Sequence, residues 1–376
     1  MGSAQAINIA NKSINVQSPT SFRDILVGEN AFYKQSNYIR ITKNEMAQKT
    51  LLPSSYISNT EYKIITLIKQ ILSIIIFPIG IYNLIHSLIG RVFFLPSSSN
   101  IYKNAANISR QNIELESNWK YKRITLEVDG YKIDAGIIGK ENTFNNNKWV
   151  LASLGNGEIY EDQLHYDGEL KAILSKTQAN GIVFNYPGVG ASTGSPNRKA
   201  MEKAYRVILA FLEDDKNGIG AKQIIGYGYS LGGGVQGDAL KVHKLKKGIK
   251  YVFVKSKTFS NMSKLVTSLM KSRILGFLIK PIGWNMGSIE SSKKLQASEI
   301  TMQTANVETY ELLNDSSKIK FDGIIHEDGS LAKALLEDPN CPKDNKLFIG
   351  MPEMHTDCID DPSFLAQKID ELLHKA

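Results

Sequence analysis

Gln223-Ile224-Ile225-Gly226-Tyr227-Gly228-Tyr229-Ser230-Leu231-Gly232-Gly233-Gly234-Val235 reads as a strand that enters a tight turn and leaves it as a helix. The strand part is short, β-rich and ends in glycine. The helical part, Leu231 to His243, follows with no intervening loop. A chain that reverses within one residue brings the flanking side chains into collision. Gly228 and Gly232, two before and two after Ser230, remove that collision. The residue at the corner is then lifted out of the sheet, and here it carries a hydroxyl. The motif Gly-x-Ser-x-Gly is short; its position between strand and helix carries the weight.

Working outward, the same alternation continues on both sides. Upstream, Arg123–Val128 and Tyr131–Ile138 flank Asp129-Gly130, the signal of a two-residue β-hairpin. Strands are predicted at Trp149–Leu154, Gly181–Tyr186, Ile224–Tyr227, Lys250–Val254, Glu299–Gln303 and Lys346–Gly350. Helices are predicted at Gln163–Thr177, Asn197–Glu213, Lys264–Met286, Ser330–Leu336 and Pro362–His374. A hairpin feeding βαβ units gives an α/β fold, a mostly parallel sheet with helices on both faces.

The 376 residues, 42% apolar and 22% charged, suffice for a large core with segments to spare. Residues 1–60 are polar and aperiodic and read as a weakly ordered arm. Residues 61–96 form an apolar segment with no charge between Lys69 and Arg91. Pro78 and Gly80 interrupt it, so two helices broken near Pro78 are expected. In the second, Ile81, Leu84, Ile85, Leu88, Ile89, Val92 and Phe93 share a face, and Asn83, Ser87 and Arg91 share another. A membrane-surface hairpin, a cap on the protein's own core and a transmembrane span are its three readings. Residues 97–118 read as a linker, and 119–376 as the α/β domain.

A formal charge of +8 fits solubility and leaves an anionic membrane surface as a candidate partner. No zinc-finger, RNP-like or basic-block pattern points to nucleic acid. Cys341 and Cys358 form neither a disulfide framework nor a metal-ligand pair, and no His/Cys/carboxylate cluster calls for a metal. Gly188-Val189-Gly190 lacks the third glycine of a dinucleotide loop, so no nucleotide cofactor is expected. The N-terminus predicts no secretory signal, and the cellular destination stays open.

A serine hydroxyl becomes a useful nucleophile when an imidazole takes its proton and a carboxylate orients that imidazole. In this architecture the chain order is Ser, acid, His. His355 follows the last strand, in the loop Gly350-Met351-Pro352-Glu353-Met354-His355, where such sheets place reactive groups. For the acid, Asp322 is favoured over Asp328 and Asp315, all between the Glu299 strand and the final strand. Two N–H donors must hold the oxyanion. Leu231 supplies one at the start of the elbow helix. After the strand Trp149–Leu154, Gly155-Asn156-Gly157 supplies the other, by position Asn156, with Gly157 next.

Leu154-Gly155-Asn156-Gly157, Asn185-Tyr186-Pro187-Gly188, the Ser230 elbow, Asp322-Gly323-Ile324-Ile325 and His355 stand in the order found in α/β-hydrolases, and residues from about 120 to 375 resemble that superfamily. More narrowly, Phe77-Pro78-Ile79-Gly80-Ile81-Tyr82, Lys257-Thr258-Phe259-Ser260 and Ser330-Leu331-Ala332-Lys333-Ala334-Leu335 resemble the chlamydial and Legionella CHLPS-like, or SidB-like, family. That resemblance implies a lipase- or esterase-like serine hydrolase delivered to a host cell as a bacterial effector. Two positions depart from the superfamily pattern: His326 stands for a proline after Asp322, and Leu154 for the histidine before the oxyanion glycine. The expected function is cleavage of carboxylic esters, lipid-like or acyl, without a cofactor. A thioesterase, peptidase or acyltransferase fits the same residues. So does a membrane-associated effector that uses the fold as a non-catalytic scaffold.

Overall fold

The computed structural model describes residues 56–57, 77–111, 119–128, 130–143, 145–165, 168–215 and 218–375. The polar arm before Tyr56, the first part of the apolar segment and the expected break near Pro78 fall wholly or partly outside these residues.

Among the described residues, ten strands form one sheet: β1 (Tyr56–Ile57), β2 (Trp119–Val128), β3 (Tyr131–Lys140), β4 (Lys148–Ser153), β5 (Asn180–Phe184), β6 (Gln223–Tyr229), β7 (Lys250–Ser256), β8 (Ser298–Thr304), β9 (Glu311–Leu312) and β10 (Lys346–Met351). Their order is β1-β2-β3-β5-β4-β6-β7-β8-β10-β9. The run from β5 to β10 is parallel throughout. The hairpin β2–β3 is antiparallel, with Val128 opposite Tyr131 across the two-residue turn. Gly130 takes φ +83°, a conformation that favours glycine.

The central strands are buried on both faces, which explains why they read as continuous apolar runs rather than alternating ones. Trp149, Phe184, Phe253, Tyr186 and Tyr205 are among the large side chains fully enclosed in that core. The helices Arg198–Glu213, Leu231–Leu240 and Pro362–Lys375 cover it. Asn197 caps the first, its side chain accepting from the N–H groups of Lys199 and Ala200.

Two expected helices divide. Gln163–Thr177 is Tyr160–His165 plus Glu169–Thr177. Lys264–Met286 is a helical hairpin, Met262–Leu269 and Arg273–Ile282. The second break has a local cause: Lys271 sits at φ +49°, and Ser272 caps the new helix at Leu275 N–H. The segment 97–118 contains a helix, Asn100–Gln111. It is anchored to the domain by Ser109 Oγ, which donates to Asp162 Oδ1 at 2.6 Å.

Candidate active site

β6 ends at Tyr229, and the helix Leu231–Leu240 begins one residue later. Ser230 therefore spans the whole turn, at φ 50° and ψ −112°. A non-glycine residue there stores about 1–3 kcal/mol of strain, held in place by its surroundings. The glycines are obligatory by contact. A Cβ on Gly232 would lie 2.0 Å from the Ser153 carbonyl oxygen, and one on Gly228 would lie 2.8 Å from Gly233 Cα. The Ser230 N–H donates to the Ser256 carbonyl at 2.9 Å, which ties the corner to β7.

His355 lies in the loop after β10 and is buried, and the Ser230 hydroxyl reaches it: Oγ is 2.9 Å from Nε2. On the other edge of the ring, Nδ1 is 2.8 Å from Asp322 Oδ2. Asp322 is fully buried. Its Oδ1 accepts from the N–H groups of Ile324 at 2.9 Å and Ile325 at 2.6 Å, and Oδ2 accepts from Gln303 Nε2 at 3.1 Å. Burial alone pushes this carboxyl up. The hydrogen bonds from His355, Ile325 and Ile324 outweigh it and hold the group below the usual carboxylate range.

Asp322 is distant in sequence from β8 because residues 305–321 are inserted between them. The insertion closes on itself at its base. Asn306 N–H donates to the Lys318 carbonyl at 2.7 Å, and Lys320 N–H to the Thr304 carbonyl at 3.2 Å. The chain thus returns to the end of β8 before presenting Asp322. The competing acids lie elsewhere. Asp328 is exposed and paired with Lys333 at 2.6 Å, and Asp315 binds Ser317. Of the other histidines with described side chains, His243 pairs with Glu213, His86 stacks on Trp284, His326 pairs with Glu327, and His374 is exposed on the last helix.

The backbone N–H groups of both expected oxyanion donors, Leu231 and Asn156, and of the alternative Gly157, have no hydrogen-bond partner among the described residues. Leu231 opens its helix, so its N–H has no carbonyl one turn back inside that helix. In the loop after β4, the Gly155 N–H is consumed by Glu158 Oε2, and no hydrogen bond among the described residues engages the Asn156 N–H. The Asn156 side chain points outward and donates to the Phe93 carbonyl at 3.2 Å.

Three positioning residues were not singled out for this role in the sequence. Lys257, fully enclosed, donates to the carbonyls of Met354 and Asp357, both at 2.6 Å, and so clamps both sides of His355. Tyr229 OH donates to the His355 carbonyl, and Gln303 steadies Asp322. Lys257 lies in Lys257-Thr258-Phe259-Ser260, one of the stretches that carries the family resemblance; that was the only signal available for it.

Behind Tyr229 lies a cavity of about 240 Å³ lined by Leu154, Glu158, Glu169, Tyr227 and Thr356 among others. Burial pushes the Glu158 carboxyl up to about 7, opposed by the Gly155 N–H and aided by Glu169 and Asp162. Burial also raises Glu169, despite hydrogen bonds from Tyr227 and Ile359. Between pH of about 4 and about 7, Glu158 in the folded protein then holds a proton that it loses in the unfolded chain. Its contribution to stability is therefore expected to fall as pH rises through that window, by on the order of 3 kcal/mol. Urea unfolding at pH 5 and pH 7.5 measures the slope. Glu158→Gln should flatten it in part, and an unchanged slope would contradict this assignment.

With the fold and this geometry in view, the chain is an α/β-hydrolase in architecture. Among solved structures, an α/β-hydrolase from Vibrio vulnificus aligns with a TM-score of 0.50 at 17% identity, covering 74% of this chain and 94% of that one. An esterase from Pyrococcus furiosus aligns with a TM-score of 0.48 at 16% identity, covering 68% and 90%. No curated protein sequence matches. The family model described as Chlamydia CHLPS protein (DUF818) matches residues 41–374. The chain belongs to that family.

Proposed function

We propose that the protein is a serine hydrolase of carboxylic esters that works through an acyl-enzyme. The observation that carries this reading is the unbroken relay from Ser230 Oγ through both ring nitrogens of His355 to Asp322, with distances of 2.9 and 2.8 Å. In this account His355 Nε2 takes the Ser230 proton as Oγ bonds to the ester carbonyl carbon. Asp322 holds the tautomer and balances the imidazolium. The N–H groups of Leu231 and Asn156 receive the carbonyl oxygen as it becomes an oxyanion. His355 then gives the proton to the departing alkoxide. Water, deprotonated by the same ring, frees the acid.

An apolar acyl group is favoured by the surroundings. Exposed Phe93 and Val92 belong to the segment hydrogen-bonded to the oxyanion loop through Asn156. Hydrolysis of p-nitrophenyl butyrate and hexanoate, with stoichiometric inactivation by an alkyl fluorophosphonate, tests the reading. Folded protein that neither turns over such esters nor reacts with the probe would leave the fold as a non-catalytic scaffold.

A further inference from the structure

Two helices present apolar side chains to solvent where one of them would be expected to bury its stripe. On the helix Phe77–Ile89 and the turn that follows it, Ile81, Leu84, Ile85, Leu88 and Val92 recur at helical spacing, with Leu84 69% and Leu88 58% exposed. The helix is attached to the domain by its other side. His86 stacks on Trp284 at 4.7 Å, and Trp284 Nε1 donates to the His86 carbonyl at 2.9 Å. On Arg273–Ile282, Ile274 (73%) and Phe277 (66%) face outward beside Leu278, while Gly276 and Ile279 face in. The two helices meet at Ile282, whose carbonyl accepts from Tyr82 OH at 3.1 Å and from His86 Nδ1 at 2.8 Å. Bare apolar side chains on two helices that touch mark a binding face.

Charge decides what covers it. No Asp or Glu occurs between residues 62 and 113, or between 262 and 289. The cations there are exposed: Arg91 beside the first stripe, Lys271 and Arg273 at the tip of the helical hairpin, Lys264 and Lys280 on its flank. Lys264 and Lys280 line a cleft of about 370 Å³ that also holds Asn261, Asn285, the carboxylate Glu290 and Ser260. Ser260 Oγ is fully buried there with no hydrogen-bond partner among the described residues.

We propose that this face docks the protein on an anionic phospholipid surface. The apolar stripes enter the boundary between headgroups and acyl chains, and the basic side chains lie among headgroup phosphates. Residues 58–76 carry one carboxylate, Glu61, against Lys63 and Lys69, and so do not answer those cations; a second copy would bring like charges together. No helix among the described residues is long and apolar enough to cross a membrane, which fits a helix lying in the surface. The docking does not depend on ester hydrolysis, although the Asn156–Phe93 hydrogen bond sets this face beside the oxyanion loop.

Flotation of the full chain with phosphatidylcholine vesicles, alone and with about 30% phosphatidylserine, tests the proposal. Recovery with the anionic vesicles and not with the neutral ones is expected. Neutralising Lys271, Arg273 and Lys280 to Gln should weaken partitioning about a hundredfold, at about fivefold per charge. Ile274→Asp with Phe277→Asp should abolish flotation while the melting temperature, the solution mass and the hydrolysis of a soluble ester stay unchanged. Ser230→Ala should float like the wild type, so the loss of catalysis and the loss of docking are separable. Absent or equal binding to both vesicles, or flotation indifferent to these changes, overturns the proposal. So does a sharp fall in melting temperature or a dimer-to-monomer shift in the Asp variants, which would place the chain's own residues 58–76 or a second copy on this face.

Discussion

Asp322→Asn is expected to lower kcat about ten-thousandfold with little change in the fold. The two sides of the carboxylate differ in what they face. Oδ1 is held by the N–H groups of Ile324 and Ile325. An asparagine must place its oxygen there, because an amide NH2 would meet two donors. Its NH2 then faces Gln303, whose amide must turn its oxygen inward, and His355 Nδ1, which must give up its proton and accept. The remaining ring proton moves to Nε2, and the base for Ser230 is lost. Steady-state kinetics with a soluble ester, beside circular dichroism, checks this; a loss under tenfold would remove Asp322 from the relay. The sign with pH follows from the same contacts. Because folding holds the Asp322 carboxyl low, its contribution to stability is present above pH of about 4 and disappears as pH falls through the folded value.

Ser230→Ala is expected to cost still more, about a millionfold in kcat, leaving only what the oxyanion donors and substrate binding supply. The variant also probes the strain at the elbow. Alanine has the same Cβ and keeps the unfavourable φ of 50°. Glycine does not. Ser230→Gly should be equally inactive but more stable than Ser230→Ala by about 1 kcal/mol. Paired urea titrations measure the difference. Equal stability would mean that the corner holds no strain, and residual turnover above about one part in a thousand would mean that another nucleophile acts.

The legible parts of this molecule were those written in local chemistry. Asp129-Gly130 between alternating runs fixed the hairpin, and glycine on both sides of Ser230 fixed the elbow. His355 was legible because a histidine directly after the last strand has few other places to be. Asp322 was harder, since Asp328 lies six residues on in the same connection. What separates them is tertiary: the insertion folds back to β8, and Gln303 and the Ile324 and Ile325 amides converge on one carboxylate only. Lys257 could not be read as a clamp, because its acceptors, Met354 and Asp357, lie about a hundred positions downstream. The division at Lys271 was hidden for a different reason. Leu265, Leu269, Phe277 and Leu278 keep a plausible helical spacing straight through it, with no glycine or proline to mark the stop. Periodicity likewise identified the apolar stripe of Ile81 to Val92 but not its direction, which is outward because His86 and Gly90 supply the contacts to Trp284.

The most direct measurement is the site of covalent capture by an alkyl fluorophosphonate, read by intact mass and peptide mapping. One adduct per chain is expected, on Ser230, formed slowly in His355→Ala and not at all in Ser230→Ala. An adduct on another residue, labelling that survives Ser230→Ala, or no adduct on folded wild-type protein would contradict it.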